Sequence, residues 1–222
     1  MSLTIRTVPD QLADVVRERI LAGALQPGDP IRQDTLAAEL GVSKIPLREA
    51  LARLEQAGLL TLIPNRGFVV RPMNRSELDE IYALRLKLEP DAVALGAKCA
   101  TEAERERAIA ALSTFKREAA DRRGSGGIHN RALHLALIRP SGQNLTSNIL
   151  EQLHVMADRY VCKHLEPLGR NARADREHDE LVEAWLARDT ARVKQLMRRH
   201  IAGTLKDLHE QLAAPSPSKN RG

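Results

Sequence analysis

Two short helices meeting at a glycine, the second basic on its free face, restrict what this chain can fold into more than any other feature. The stretch is QDTLAAELGVSKIPLREALARLEQAGLLTLIPNRGFVVR, residues 33–71. Leu36, Ala37 and Leu40 give the first helix one apolar side. Gly41 ends it, because glycine takes the left-handed turn at a helix C-terminus without steric cost. Ser43 is placed to cap a second helix, whose Leu47, Ala50, Leu51 and Leu54 form a buried stripe. Lys44, Arg48 and Arg53 lie on the opposite side, and Gly58 closes the helix. The β-prone runs 60–63 and 68–70 flank Pro64-Asn65-Arg66-Gly67, a turn with a basic tip. This geometry is suited to setting a helix in a DNA major groove. A small helical domain with merely solvated arginines would share some of these features, but not the whole conjunction.

Composition narrows the rest. Aromatic residues make up 2% of the 222, so the core must be built from Leu, Ala, Val and Ile, which suits packed helices. The formal charge of +5 favours an acidic partner without identifying one. Cys99 and Cys162 are too few and too far apart for a disulfide framework, and a reducing cytoplasm fits them. No apolar run approaches the roughly twenty residues of a membrane span, and no signal-peptide core opens the chain. A cytoplasmic protein with no membrane partner is expected.

Arg71-Pro72-Met73-Asn74 reads as a hinge. The expected division is a winged helix-turn-helix over 1–72, an all-helical domain over 73–212 and a disordered tail over 213–222. The fold class is mainly α with one small β-hairpin. Six helices are predicted beyond the hinge. The first opens on a capping box at Ser76–Asp79 and is kinked by Pro90; the second opens on another at Thr101–Glu104. Gly124 to Gly127 reads as a flexible connection, and the remaining helices cover 128–138, 144–165, 172–187 and 190–212.

His134 stands four residues after Asn130 on one helix face, while His178 and His200 lie on two other helices. Spacing alone makes these no local metal motif. His129, His154, His164 and His209 are expected at the surface. Arg85 lies four residues before Glu89, which suggests a surface ion pair. No sharp nucleophile turn or glycine-rich phosphate loop supports catalysis.

The segments VVRERILAGALQPGDPI, GVSKIPLREALARLEQAGLL and NRGFVV resemble the winged-helix domain of GntR-family bacterial transcription regulators. The resemblance assigns DNA contacts to Lys44, Arg48 and Gly67, the glycine at the wing tip in the minor groove, with Ser43 and Ile45 as neighbouring contacts; Arg66, the basic tip of the turn, is a further candidate from its charge. Two positions depart from the family pattern. Asp34 stands where an arginine is usual, and Lys44 replaces the usual arginine after the turn serine, offering a point charge in place of a planar fork. The segments LRLKLEPDAVAL, NRALHLALIRPSGQN and EHDELVEAWLARDTARVKQLMRRHI resemble the FCD effector domain of the FadR-type subfamily. That resemblance implies a divalent metal (zinc, nickel or manganese) on Asn130, His134, His178 and His200, and a small carboxylate effector. It points Arg85 into the effector cavity, as an alternative to the surface ion pair, with Arg159 and Tyr160 as weaker candidates. Asn130 stands where Asp is common, which removes one negative charge.

The resulting expectation is a ligand-responsive homodimeric regulator on a near-palindromic operator, a repressor released by its ligand, and not an enzyme. Two alternatives for the helical domain stay open at this point: a metal-dependent hydrolase-like centre, or a purely structural dimerisation module.

Overall fold

The structure is a computed structural model that describes residues 7–120, 126–164 and 171–213. In chain order the elements are α1 (Val8–Leu21), α2 (Gln33–Leu40), α3 (Lys44–Gln56), β1 (Leu60–Ile63), β2 (Gly67–Val70), α4 (Arg75–Cys99), α5 (Glu102–Ala120), α6 (Gly126–Ile138), a 3-10 turn (Arg139–Ser141), α7 (Asn144–His164), α8 (Asn171–Leu186) and α9 (Thr190–Ala213). No helix among the described residues is long and apolar enough to cross a membrane.

The first core joins α1 to α3 through Leu12, Val16, Ile20, Leu47, Leu51 and Leu54, all buried. Gly41 takes the left-handed conformation (φ 66°) and turns α2 into α3. Ser43 occupies the cap position of α3 with an extended backbone, but its side chain makes no capping hydrogen bond. β1 and β2 form an antiparallel hairpin in register Leu60↔Val70 to Ile63↔Gly67, with Asn65 and Gly67 both at positive φ. The segment before α2 lies along the hairpin, with Ile31 N–H donating to the Phe68 carbonyl (2.8 Å). Arg53, read as part of the free basic face, instead pairs with Asp10 of α1 and ties two helices of this core together.

The second core is the bundle of α4 to α9, in which α4 packs against α6, α7, α8 and α9. Its helices follow the sequence pattern, with two local differences, at the cap of α4 and at the start of α6. Asn74, not Ser76, caps α4 by accepting from Glu77 N–H (2.7 Å), because Tyr160 already holds the Asn74 backbone. α4 continues through Pro90 to Cys99 as one helix. Gly126 and Gly127 open α6 and are not a connection; at Gly127 a Cβ would press on Cys162 of α7, so only glycine lets the helices approach there. Gly124 and Ser125 lie outside the described residues, as do 214–222 of the expected tail, whereas Ala213 is the last residue of α9. Of the second capping box, the Glu104 half forms: Thr101 N–H and Oγ1 both donate to Glu104 Oε2 (2.9 and 2.8 Å), while Glu104 N–H donates to the Thr101 carbonyl (3.1 Å).

The two cores touch along α7, where Val155 is buried in the first core while its neighbours on the helix serve the second.

Candidate DNA interface and buried histidine cluster

α3 turns its apolar stripe inward, so Ser43, Lys44, Ile45 and Arg48 are left on the outer face and all four are exposed. Ile45 is 73% exposed, so its side chain is open to a partner on that face. Asn65 and Arg66 project at the exposed tip of the hairpin, followed by half-buried Gly67. Lys44 is paired with Asp34 across the glycine turn, both side chains being largely exposed. The acidic departure at position 34 therefore sits directly on the lysine that departs with it.

The bundle interior is strongly polar at one place. His134 from α6, His178 from α8 and His200 from α9 are all buried, and each offers a ring nitrogen within 4.8 Å of the others. Three helices remote in sequence thus meet at one point. His134 Nε2 and His178 Nε2 are 3.3 Å apart. Two nitrogens each about 2.0–2.1 Å from a tetrahedral zinc would stand about 3.3 Å apart, so the pair fits a shared ion.

Carboxylates orient two of the three rings. His134 Nδ1 donates to Glu89 Oε1 (2.6 Å), and His200 Nδ1 donates to Glu177 Oε2 (2.7 Å). A carboxylate on Nδ1 leaves Nε2 as the nitrogen that can face an ion. Burial pushes the His134 imidazole down to about 3, against the opposing pull of Glu89. Burial likewise holds His178 well below its ordinary value, reinforced by His200 and His134. Neutral imidazole is the form that binds a metal. The chemistry of this donor set fits a divalent ion, which His134, His178 and His200 would hold.

Asn130, the expected fourth ligand, lies half-buried on α6 one turn before His134. Arg85 is buried and donates to Glu89 (Nε to Oε2, 2.8 Å), so the expected ion pair exists but in the core, not at the surface. Burial alone would raise the Glu89 carboxyl, but Arg85, His154 and His134 together hold it well below the usual range. His154 is a correction. Expected at the surface, it is buried on α7 and donates through Nε2 to the same Glu89 oxygen (2.9 Å). Glu89, His134 and His154 form a second possible metal group, but Arg85 already neutralises Glu89 and its guanidinium would repel an ion there.

Arg159 and Tyr160, the weaker effector candidates, are directed elsewhere. Arg159 donates to the carbonyls of Arg71 (3.1 Å) and Pro72 (3.3 Å) and to Glu77 (3.1 Å). Tyr160 Oη accepts from Asn74 N–H and donates to Glu77 (2.8 Å). Their polar ends hold the hinge and not the histidine cluster, because α7 turns these two positions towards the start of α4.

Sequence reasoning missed four participants: Glu89 as the orienting carboxylate, Glu177, His154 and Tyr82. Tyr82 is fully buried, its hydroxyl has no partner among the described residues, and burial raises it to about 12. A signal existed for His154, which follows Leu153 and stands one turn after Leu150 on the apolar side of α7. None existed for Glu177, whose role depends on how α8 meets α9.

Residues 9–70 match the model of the bacterial regulatory proteins of the gntR family, and residues 80–203 match the FCD domain. The chain belongs to the GntR family. It is 28% identical over 207 residues to the transcriptional repressor GlaR of Escherichia coli, covering 89% of this chain and 94% of that protein. It is 30% identical to the transcriptional regulator YdhC of Bacillus subtilis, covering 86% of each. The solved structure of E. coli McbR/YncC superposes with a TM-score of 0.80 at 25% identity, over 94% of this chain and 100% of that one. GntR proteins are DNA-binding regulators of transcription and not enzymes, which sets aside the hydrolase-like alternative for the bundle.

Proposed function

We propose that the chain is a homodimeric transcription regulator in which residues 1–72 read DNA and residues 73–212 sense a small carboxylate through a metal held by His134, His178 and His200. The observation that carries this reading is the buried polar cluster. A purely structural dimerisation module would gain nothing from desolvating four histidines, an arginine and a glutamate in its core, since buried polar groups stabilise less than apolar ones of the same volume. His154 Nδ1, His178 Nδ1 and Tyr82 Oη are buried without partners among the described residues, which suits a site completed by a ligand. A bound divalent ion would supply an electrophilic anchor for a carboxylate, and Arg85 adds a fixed positive charge beside it. Asn130 is proposed as a fourth ligand, contributing no negative charge.

Exposed Leu145 and Ile149, one turn apart on α7, support association of two copies. A two-fold dimer would present two α3 helices to a near-palindromic operator. Repression relieved by the effector, in the cytoplasm, is the proposed mode. The test is operator binding by the full chain, with the operator found by selection from genomic fragments. Zinc, nickel or manganese plus a panel of small carboxylates should release the DNA in the wild type and not in His178→Ala. Release that persists in His178→Ala would overturn the role of the cluster.

A further inference from the structure

A cavity of about 240 Å³ lies where the winged helix, the hinge and α7 meet. Ile20 and Leu21 at the end of α1, Val70 at the end of β2 and Met73 of the hinge give it apolar walls. Arg71 and Arg159 supply its charge. Both guanidiniums share one carboxylate: Arg71 Nη2 is 2.7 Å from Glu77 Oε1, and Arg159 Nη2 is 3.1 Å from Glu77 Oε2. Two positive charges against one negative leave a net positive charge beside an apolar space. Arg159 is 4% exposed, and its Nε has no hydrogen-bonding partner among the described residues. A buried donor without a partner is unfavourable, and an added acceptor would relieve it.

We propose that this cavity is a second small-molecule site, taking a small apolar monocarboxylate and separate from the histidine cluster. The chemistry follows from the walls. A carboxylate matches the surplus arginine charge and the planar fork, whereas a neutral amide of the same shape does not. The volume sets the size, since a cavity of about 150 Å³ is enough for a benzene ring. One aromatic ring or a short acyl chain with a single acid group fits; a nucleotide does not. Because the walls come from α1 and β2 on one side and α7 on the other, the occupant touches both cores at once. It would therefore bias how the reading head sits on the bundle. α7 also carries His154 to Glu89, little more than one turn before Arg159, so one rigid helix connects the two sites.

The direct test is calorimetric titration of the full chain without DNA, using benzoate and hexanoate as probes and benzamide as the neutral control. The proposal expects saturable binding of at least one acid, benzamide weaker by about tenfold or more, and no loss in His178→Ala. Arg71→Gln, at a half-exposed position and with its melting temperature checked first, should weaken the acid by about tenfold, and Arg159→Gln by more. Failure of both acids to saturate, equal binding of benzamide, or binding lost in His178→Ala but kept in Arg71→Gln would each overturn it. The bias on DNA rests on the transcription reading above, but the titration contains no DNA, so its failure leaves that reading untouched.

Discussion

Lys44 and Arg48 stand one turn apart on the same exposed helix face, yet their electrostatic surroundings differ. Lys44 faces Asp34, which cancels much of its pull on a phosphate, whereas Arg48 is exposed on the outer face. Arg48→Ala is expected to cost about 1–3 kcal/mol of operator affinity, the worth of one bidentate base contact, with the melting temperature unchanged. Equal operator affinity at matched salt would remove Arg48 from the interface. Asp34→Asn should do the opposite to its neighbour: with Lys44 released, binding to all sequences should tighten and the salt dependence should steepen by about one phosphate contact. The same measurement on Arg66→Ala should show a slope shallower by about one contact. A change confined to one base position would show that Arg66 reads sequence instead.

Besides the apolar core, two junctions of different chemistry tie helices of the bundle together. At the first, Trp185 Nε1 of α8 donates to the carbonyls of Val93 (3.1 Å) in α4 and Leu137 (3.2 Å) in α6. Gly96 lies at the same crossing, where an added Cβ would overlap the Leu137 carbonyl oxygen. Gly96→Ala gains helix propensity but forces α4 and α6 apart, and should destabilise by about 1–3 kcal/mol or more on denaturant unfolding. A neutral or stabilising result would mean that this approach is looser than the structure has it. The second junction is the histidine cluster, which joins α6, α8 and α9. An ion there stabilises only the folded chain, by about 2.7 kcal/mol at a hundredfold above its dissociation constant. Chelation should therefore lower the melting temperature, and His178→Ala should abolish that sensitivity. A melting curve indifferent to chelator and to added zinc, nickel and manganese would end the metal reading.

At the scale of the whole molecule, α7 matters most because it belongs to both halves. Val155 fills the winged-helix core, His154 enters the histidine cluster, and Arg159 and Tyr160 tie the hinge to Glu77 of α4. Tyr160→Phe removes a hydroxyl with three partners, two of them on the Asn74 backbone. The backbone amides of Arg71, Met73 and Asn74 should then exchange with solvent faster, at a cost of about 1–3 kcal/mol for the buried Glu77 oxygen left with one donor fewer. Unchanged exchange at 71–74 would show that the arginine contacts alone hold the hinge.

The readable part of this protein is what local spacing encodes. Leu47, Ala50, Leu51 and Leu54 identify one buried helix face whatever they pack against, and Gly41 identifies a turn because its backbone requirement is intrinsic to the residue. The same reasoning reached the last four bundle helices to within about two residues, the usual limit for helix ends. What spacing does not encode is which helix faces converge. His154 and His209 each follow a leucine and stand one turn after another leucine, so that signal alone does not decide burial: the first is buried on Glu89 and the second is a half-exposed side chain paired with Asp79. Arg85 and Glu89 pair at i and i+4 in either setting; only the packing of α6 and α7 over α4 removed that pair from water and turned it into the anchor of a polar site. For Arg159 the direction of α7 decided the place, setting its guanidinium at the hinge and away from the histidine cluster. Periodicity is a property of one helix, and burial belongs to the helices that cover it.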